Sequence, residues 1–318
     1  MFKSGFGRGH KKRLPLCMSA HKHPPQTGLA LGIVDGEVSA PPGRGGVVHA
    51  LEHRFEVREL GRLDDLMPLQ EIFSEIWRRE EAPPLSAELM RALAHSGNYV
   101  AGGYLDGRLV GGVVGFFGRL PGHALHLHSH ILGVLPEQQL RGLGFALKQH
   151  QRSWSLKRGI TEVTWTFDPL VRRNGYFNVC KLGADISQYH LDFYGRMGDG
   201  INGDGASDRV LAVWNLESER AVAAAAGRPA EPDLETLRSR GAEVALREGP
   251  GGVPLVNGAR GPVLLCQAPA DVVALRREHP ELVDAWREAL RTTFGVALTD
   301  GYATLGMTRS GWYVLGRR

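Results

Sequence analysis

Two glycines lie where a predicted strand gives way to a predicted helix, in the stretch from Val134 to Lys148. Gly142 and Gly144 let the backbone turn without obstruction from a Cβ atom. The N–H groups at the start of the following helix, together with the positive end of the helix dipole, then suit a pyrophosphate. A plain strand-to-helix loop explains two glycines equally well, so the spacing alone leaves both interpretations open.

Three histidines alternate on the strand that precedes these glycines. Because side chains two residues apart point to the same face of a strand, His126, His128 and His130 share a face. A neutral imidazole accepts a proton near pH 7, which suits a general base. The row is also compatible with buried or exposed histidines of no chemical role, or with a chelated metal. No nearby carboxylate is obvious, so the sequence predicts no metal.

A sheet and a helix are needed to position these residues. The Asp106-Gly107 pair predicts a hairpin between strands at 98–105 and 108–117. Hydrophobic patterning predicts the remaining elements. The predicted strands are at 55–60, 125–135, 160–167, 184–193 and 209–216, and the predicted helices are at 63–77, 86–95, 142–158 and 174–181. This order predicts an α/β (mixed α+β) fold, with a mixed, mostly antiparallel sheet and helices on both faces.

The chain of 318 residues carries a net charge of +4, and the excess lies in residues 1–50, which are rich in Gly, Pro, His and Lys. Residues 51–318 hold 31 basic and 32 acidic side chains, which argues against a nucleic-acid partner. Three scattered cysteines, Cys17, Cys180 and Cys266, favour a reducing, cytoplasmic setting over a disulfide framework. No apolar run approaches the roughly 18 residues of a membrane span, so no membrane partner is predicted.

The composition along the chain predicts four segments. Residues 1–50 are predicted to be a disordered basic extension, and 51–216 to be the domain that carries the glycines and histidines. Residues 217–260 are predicted to be a linker with a peripheral segment, and 261–318 a small C-terminal α+β unit. No catalytic motif marks that unit, and core packing or a homodimer face explains its helix residues Trp286, Arg287 and Arg291.

The residues around the glycines carry a resemblance. The pattern Gln139-x-x-Gly142-x-Gly144 resembles the Q/R-x-x-G-x-G/A motif of the GNAT superfamily of N-acetyltransferases. Asn174 followed by Lys181-Leu182-Gly183 resembles a second segment of that superfamily. The resemblance spans about residues 55–216 in element order as well as in motifs. Further stretches, among them His128-Ser129-His130, resemble a bacterial GNAT family that carries an extra C-terminal unit.

The resemblance implies a site for acetyl-CoA or another acyl-CoA as co-substrate. It implies that backbone at Leu132, Gly133 and Val134 pairs with the pantetheine arm, and that Asn174 contacts the cofactor from the other side. It implies further that the pyrophosphate lies on the amides of the loop and of the helix start. These belong to Gln139, Leu140, Arg141, Gly142, Leu143, Gly144 and Phe145.

The resemblance also implies direct attack of an amine on the thioester, with a general base and a general acid. His130 lies nearer the expected thioester than His128 and is the preferred base. The position of the superfamily's usual acid, a Tyr, is occupied by Val179, so Tyr194 is the preferred substitute. Other candidates for the acid are Tyr176, Asn178 and Cys180.

Two arginines are candidates for substrate binding. Arg209 or Arg173 can bind a carboxylate on the acceptor or on a succinyl group, although a solvated surface role explains each of them as well. Together these expectations favour an N-acyltransferase that acts on a small amine such as an amino acid, with an acetyl or succinyl donor. A non-catalytic acyl-CoA-binding module and a protein or peptide N-acetyltransferase are the alternatives.

Overall fold

The computed structural model describes residues 30–32, 54–79, 82–119, 124–139, 142–195 and 205–317. Eight strands form a first sheet in the order β1-β2-β3-β4-β5-β6-β8-β7. They are Ala30–Gly32 (β1), Arg54–Glu59 (β2), Tyr99–Leu105 (β3), Arg108–Gly118 (β4), His126–Val134 (β5), Glu162–Phe167 (β6), Asp185–His190 (β7) and Arg209–Asn215 (β8). Neighbouring strands are antiparallel except β5 and β6, which are parallel.

A second sheet of five strands has the order β10-β9-β11-β13-β12. Its strands are Glu243–Glu248 (β9), Pro254–Val256 (β10), Val263–Gln267 (β11), Tyr302–Met307 (β12) and Trp312–Arg317 (β13). The helices are Leu63–Trp77 (α1), Ala87–His95 (α2), Leu143–Leu156 (α3), Arg172–Tyr176 (α4), Glu219–Ala225 (α5), Leu234–Ser239 (α6), Val272–Glu278 (α7), Pro280–Leu290 (α8) and Val296–Thr299 (α9). None of these helices has the length and apolarity that crossing a bilayer requires.

The predicted fold class is confirmed: the first sheet is mixed and mostly antiparallel, with helices packed on it. The predicted hairpin forms between β3 and β4, where Asp106 and Gly107 have φ angles of 50° and 82°. That left-handed pair closes a tight turn whose twist matches the strands. Of the predicted extension at 1–50, the structure describes Ala30–Gly32, which pair with β2; the rest lies outside the described residues.

The segment 217–260 differs from the predicted linker. It contains α5, α6 and two strands, and β9 lies between β10 and β11 in the second sheet. Strand β9 pairs in parallel with β11, so its partner lies beyond β10 in the chain. The Ala- and Glu-rich sequence of β9 has little local strand signal, and pairing decides its conformation.

One continuous core joins the two sheets. Buried side chains of the first sheet, such as Trp165 and Phe167, belong to the same cluster as Phe294 and Tyr313 of the C-terminal part. The Tyr313 hydroxyl, itself buried, donates to the carbonyl oxygen of Pro169 at 2.9 Å. The second sheet is therefore packed on the end of β6 and on the helix that follows it.

Gly175 in α4 packs closely against strands β12 and β13 of the second sheet. A Cβ atom there would lie 2.6 Å from Met307 Sδ and still closer to the Tyr313 hydroxyl. We therefore expect Gly175→Ala to lower the free energy of unfolding by about 1–3 kcal/mol through overpacking. Gly61→Ala is the control, since no atom lies within 4 Å of its Cβ position. Equal urea midpoints for the two variants would contradict this packing.

Candidate active site

Strands β5 and β6 diverge at one end, and this divergence forms the site. Their parallel pairing includes Leu127 with Val163 and His128 with Thr164, at the beginning of both strands. Beyond these pairs β5 continues to Val134 on its other neighbour β4, and β6 continues to Phe167 on β8. Parallel strands that separate in this way leave a gap in the sheet that can admit an extended chain.

Helix α3 begins beyond the end of β5. Its N-cap residue Gly142 has a φ of 77°, and no side chain caps the helix. The first turn contains no acidic residue, and the space at Gly144 is open, since Leu132 Cδ2 at 3.9 Å is the nearest atom to a Cβ placed there. The N–H groups of this turn lack intrahelical acceptors, so the helix start fits an anion such as a pyrophosphate.

The structure describes most of the other residues predicted to bind the cofactor. Gly133 packs under α1, because a Cβ atom there would lie 2.8 Å from Ile76 Cδ1 and Trp77 Cζ3. The Gln139 side chain donates to the Val134 carbonyl oxygen at 3.1 Å and so ties the loop to the strand end. In α3 Leu143 is buried and Phe145 half-buried, and Asn174 is exposed on α4. Leu140 and Arg141 lie outside the described residues.

The histidine row lies on one face of β5, as predicted from alternation. Phe116 contacts two of its rings, with centroid distances of 5.1 Å to His128 and 5.7 Å to His130. His128 Nδ1 shares a hydrogen bond of 3.2 Å with Thr164 Oγ1, its register partner on β6 at the last pair before the gap. Val114 faces Ile131 and Gly115 faces Ser129, so His130 is the extra residue of a β-bulge. A bulge re-aims the side chain that it carries.

Both of these histidines are held neutral. Burial, and then the positive charge of the neighbouring His130, His126 and Lys148, lowers the pKa of His128 to about 4. The side chain of His130 is exposed at the sheet face, and desolvation by the groups packed around it lowers its pKa from the ordinary value of 6.5. A neutral imidazole at pH 7 can accept a proton. Among the described residues, no group of three or more His, Cys, Asp or Glu side chains is arranged to hold a metal ion.

Tyr194 reaches the same face of the sheet. Its hydroxyl lies 3.1 Å from Thr166 Oγ1 on β6, and Thr166 shares a face with Thr164, the partner of His128. The Ser207 hydroxyl accepts a hydrogen bond of 2.8 Å from the Tyr194 backbone N–H. The structure thus brings Tyr194 to the histidine face of the gap.

The two arginines predicted to bind a carboxylate, Arg209 and Arg173, lie at different places in the structure. Arg209 is buried beside this site, and its guanidinium lies 5.5 Å from the ring centroid of Tyr194. Arg173 instead lines a cleft of about 520 Å³ between α4 and the start of α7, together with Tyr176, Asp271 and Arg309. Of the two, only Arg209 lies near Tyr194.

The C-terminal part supplies charged residues that the sequence analysis missed. Arg276 and Arg287 contact Asp168 at the end of β6, and Arg291 pairs with Asp208 at the start of β8. Core packing or a dimer face was the expected role of Arg287 and Arg291, and the structure pairs them with carboxylates of the first sheet instead. Partners that lie 83, 108 and 119 residues away in the chain leave no local sequence signal.

A buried lysine lies on the α3 side of the gap. Lys148 Nζ donates to Ser129 Oγ at 2.8 Å and to Gln151 Oε1 at 3.0 Å, and lies 3.8 Å from the Trp165 ring centroid. Burial lowers its pKa well below the ordinary 10.5, since both of these hydrogen-bond partners are neutral. The sequence analysis predicted no role for this lysine.

Lys148 makes stability depend on pH. Between its lowered folded pKa and the unfolded value of 10.5, the unfolded chain binds more protons, so stability rises with pH. We expect Lys148→Met to remove this contribution, so that the wild type gains stability relative to the variant from pH 7 to pH 9. Urea unfolding of both proteins at pH 7 and at pH 9 measures this gain in stability. Lys157→Met, at the exposed end of the same helix, is the control. A difference from wild type that does not vary with pH would contradict the expectation.

Residues 66–177 match the model of the acetyltransferase (GNAT) family. No curated protein matches the chain. Among solved structures, Naa50 of Arabidopsis thaliana bound to the bisubstrate analogue CoA-Ac-MVNAL is 17% identical, covers 50% of this chain and 97% of that chain, and has a TM-score of 0.40.

Two further solved structures are similar to this chain. The ribosomal-protein-S18-alanine N-acetyltransferase of Escherichia coli is 16% identical over 52% of this chain and 97% of that chain, with a TM-score of 0.41. An aminoglycoside acetyltransferase from an uncultured soil metagenomic sample, in complex with sisomicin, is 19% identical over 36% of this chain and 78% of that chain, with a TM-score of 0.33. At these values the structures carry no argument about activity.

Proposed function

We propose that this protein transfers an acyl group from acyl-CoA to the nitrogen of a small amine such as an amino acid. Its residues 66–177 match the GNAT family of acetyltransferases. The observation that carries the proposal is the gap between β5 and β6, which has an uncapped glycine helix start at one end and a neutral histidine on a bulge beside it. The helix start suits a phosphate-bearing chain, and the histidine suits proton removal from an amine.

The chain's own residues account for binding. Backbone groups of Leu132, Gly133 and Val134 border the gap and would hold the pantetheine arm, with Asn174 on the α4 side. The amides of Gly142, Leu143, Gly144 and Phe145 would receive the pyrophosphate. When bound, acyl-CoA supplies an activated thioester that needs no covalent intermediate on the protein.

Proton transfer falls to two side chains on one face of the gap. His130 would accept a proton from the attacking amine as the C–N bond forms. Tyr194 would donate a proton to the sulfur as the C–S bond breaks, and water then restores the hydroxyl proton. His130 is favoured over His128, because His128 already bonds to Thr164 and its pKa of about 4 makes it the weaker base.

The direct test is turnover. Acetyl-, propionyl- and succinyl-CoA are each combined with a panel of amino acids, and release of the free CoA thiol is followed. We expect turnover with at least one pair. Binding of CoA without any turnover would instead favour the non-catalytic module, a reading to which Val179 at the usual Tyr position also points. Turnover confined to peptides would favour a peptide N-acetyltransferase.

A charge at the helix start tests the cofactor site without requiring turnover. Gly144→Glu is expected to weaken CoA binding about 10- to 100-fold, because its carboxylate would repel the pyrophosphate at close range. Gly144→Gln, which has nearly the same shape without the charge, is the matched control, and no atom lies closer than 3.9 Å to a Cβ atom placed at this position. Equal CoA affinities of the two variants by calorimetry would place the pyrophosphate elsewhere.

A further inference from the structure

A buried cluster of charges lies where β6 ends and β8 begins, against helices α7 and α8. Its two carboxylates, Asp208 and Asp168, differ in how many guanidinium groups each of them faces. Asp208 receives Arg291 through two bonds of 2.7 Å, the Tyr189 hydroxyl at 2.9 Å and the Asp192 backbone N–H at 3.1 Å. Asp208 and Arg291 are therefore satisfied by each other and by neutral donors.

Asp168 is shared between two guanidinium groups. Its Oδ1 accepts from the Leu170 backbone at 2.9 Å, and its Oδ2 accepts from Arg276 Nη2 at 2.6 Å and from Arg287 Nη2 at 3.4 Å. The short bond belongs to Arg276, and the contact with Arg287 is long. One carboxylate thus faces two guanidinium groups from the C-terminal part.

Two hydrogen-bond donor atoms of Arg287 have no acceptor among the described residues. Its exposed fraction is 4%, and within the part of the chain that the structure describes its Nε and Nη1 atoms are buried without a hydrogen-bond partner. A buried charged donor without an acceptor costs free energy, and native proteins rarely leave one so. Both donor atoms therefore lack an acceptor among the described residues, and a bound ligand is one source of such an acceptor.

The position of Arg287 indicates what that acceptor is. Thr164 and Thr166 share one face of β6 and contact His128 and Tyr194, and Asp168 directly follows the last residue of this strand. The Arg209 guanidinium lies 5.5 Å from the Tyr194 ring centroid; burial lowers the pKa of Arg209, and the charges of Asp168 and Arg287 also act on it. Arg287, in contact with Asp168, therefore lies on the Tyr194 side of the proposed acyl-transfer site.

We propose that Arg287 binds a carboxylate of one of the two reacting molecules. The group is borne either by the acyl chain, as in a dicarboxylic acyl-CoA, or by the amine acceptor, as in an amino acid. This inference rests on the proposed function for its location, and it makes the C-terminal part a component of the substrate site. A carboxylate gives charged hydrogen bonds to Nε or Nη1 and balances the second guanidinium group.

Two matched ligand pairs separate the two sources. Succinyl-CoA is compared with butyryl-CoA, which has the same chain length and no carboxylate. Phenylalanine is compared with phenylalaninamide, in a separate titration without CoA. For one pair we expect the wild type to bind the carboxylate member about 10- to 100-fold more tightly by calorimetry. Arg287→Gln is expected to remove that preference while the affinity for the neutral member stays unchanged.

Two further variants keep the result interpretable. Arg287→Lys retains the charge with fewer donors and should retain part of the preference, which also provides the test if Arg287→Gln does not fold. Arg277→Gln, an exposed residue on α7, is the control and should change nothing. The proposal is overturned if the wild type shows no preference in either pair, or if the preference survives in Arg287→Gln. Because these are binding measurements, a lack of turnover with every substrate would contradict the proposed function and leave this test intact.

Discussion

Replacing His130 with alanine is expected to lower kcat/KM by about 100- to 10,000-fold, the usual range for loss of a general base. The residue lies on the bulge of β5, beside the gap, and its exposed imidazole is neutral at pH 7 because its pKa is lowered from 6.5. Removing it leaves the amine without a nearby proton acceptor. Steady-state thiol release measures the loss, and CoA affinity measured by calorimetry should not change, since the helix start is untouched.

The other histidines of the row are the natural controls. His126→Ala alters the same face of the same strand at the end away from the gap, and we expect a change of less than threefold. His128→Gln can keep a hydrogen bond to Thr164 and should cost less than His130→Ala. A larger loss in His128→Gln than in His130→Ala would transfer the role of base to His128.

The pH dependence adds a second signature. Because the pKa of His130 is lowered, its protonation should reduce kcat/KM only as the pH falls below the ordinary 6.5. This limb should disappear in His130→Ala, whereas a limb caused by protonation of the amine substrate should remain. If the limb below pH 6.5 persists in the variant, His130 is not the titrating base.

Asp168→Asn is expected to lower the free energy of unfolding by about 3–5 kcal/mol. The carboxylate is buried and faces Arg276 and Arg287, and its removal leaves two guanidinium groups without their counter-charge in a buried setting. Urea unfolding followed by tryptophan fluorescence and circular dichroism measures the change. Since one core joins the two sheets, both signals should report a single transition.

An exposed ion pair supplies the control for Asp168. Asp185 accepts from Arg220 at 2.6 Å, but 51% of the Asp185 side chain is exposed to solvent. Asp185→Asn should therefore cost about 1 kcal/mol or less. If Asp168→Asn costs no more than this control, the charges at the junction contribute little to stability. Two separate transitions in the wild type would show that the C-terminal part folds independently.

Local pattern was sufficient for much of the first sheet. The β3–β4 hairpin follows from Asp106-Gly107, because a tight turn with two positive φ angles selects those residue types. The shared face of His126, His128 and His130 follows from strand alternation, and the uncapped start of α3 follows from Gly142. Each of these features depends on residues within a few positions of one another, which is the range over which backbone geometry repeats.

Tertiary structure alone decided how these elements form a site. The bulge at His130 depends on register with β4, and the gap depends on where β5 and β6 stop pairing. Asp168 meets Arg276 and Arg287 across separations of 108 and 119 residues, so neither partner marks the other in the sequence. Burial then sets the charge of Lys148 and His128, since desolvation depends on everything packed around a group and not on its neighbours in the chain.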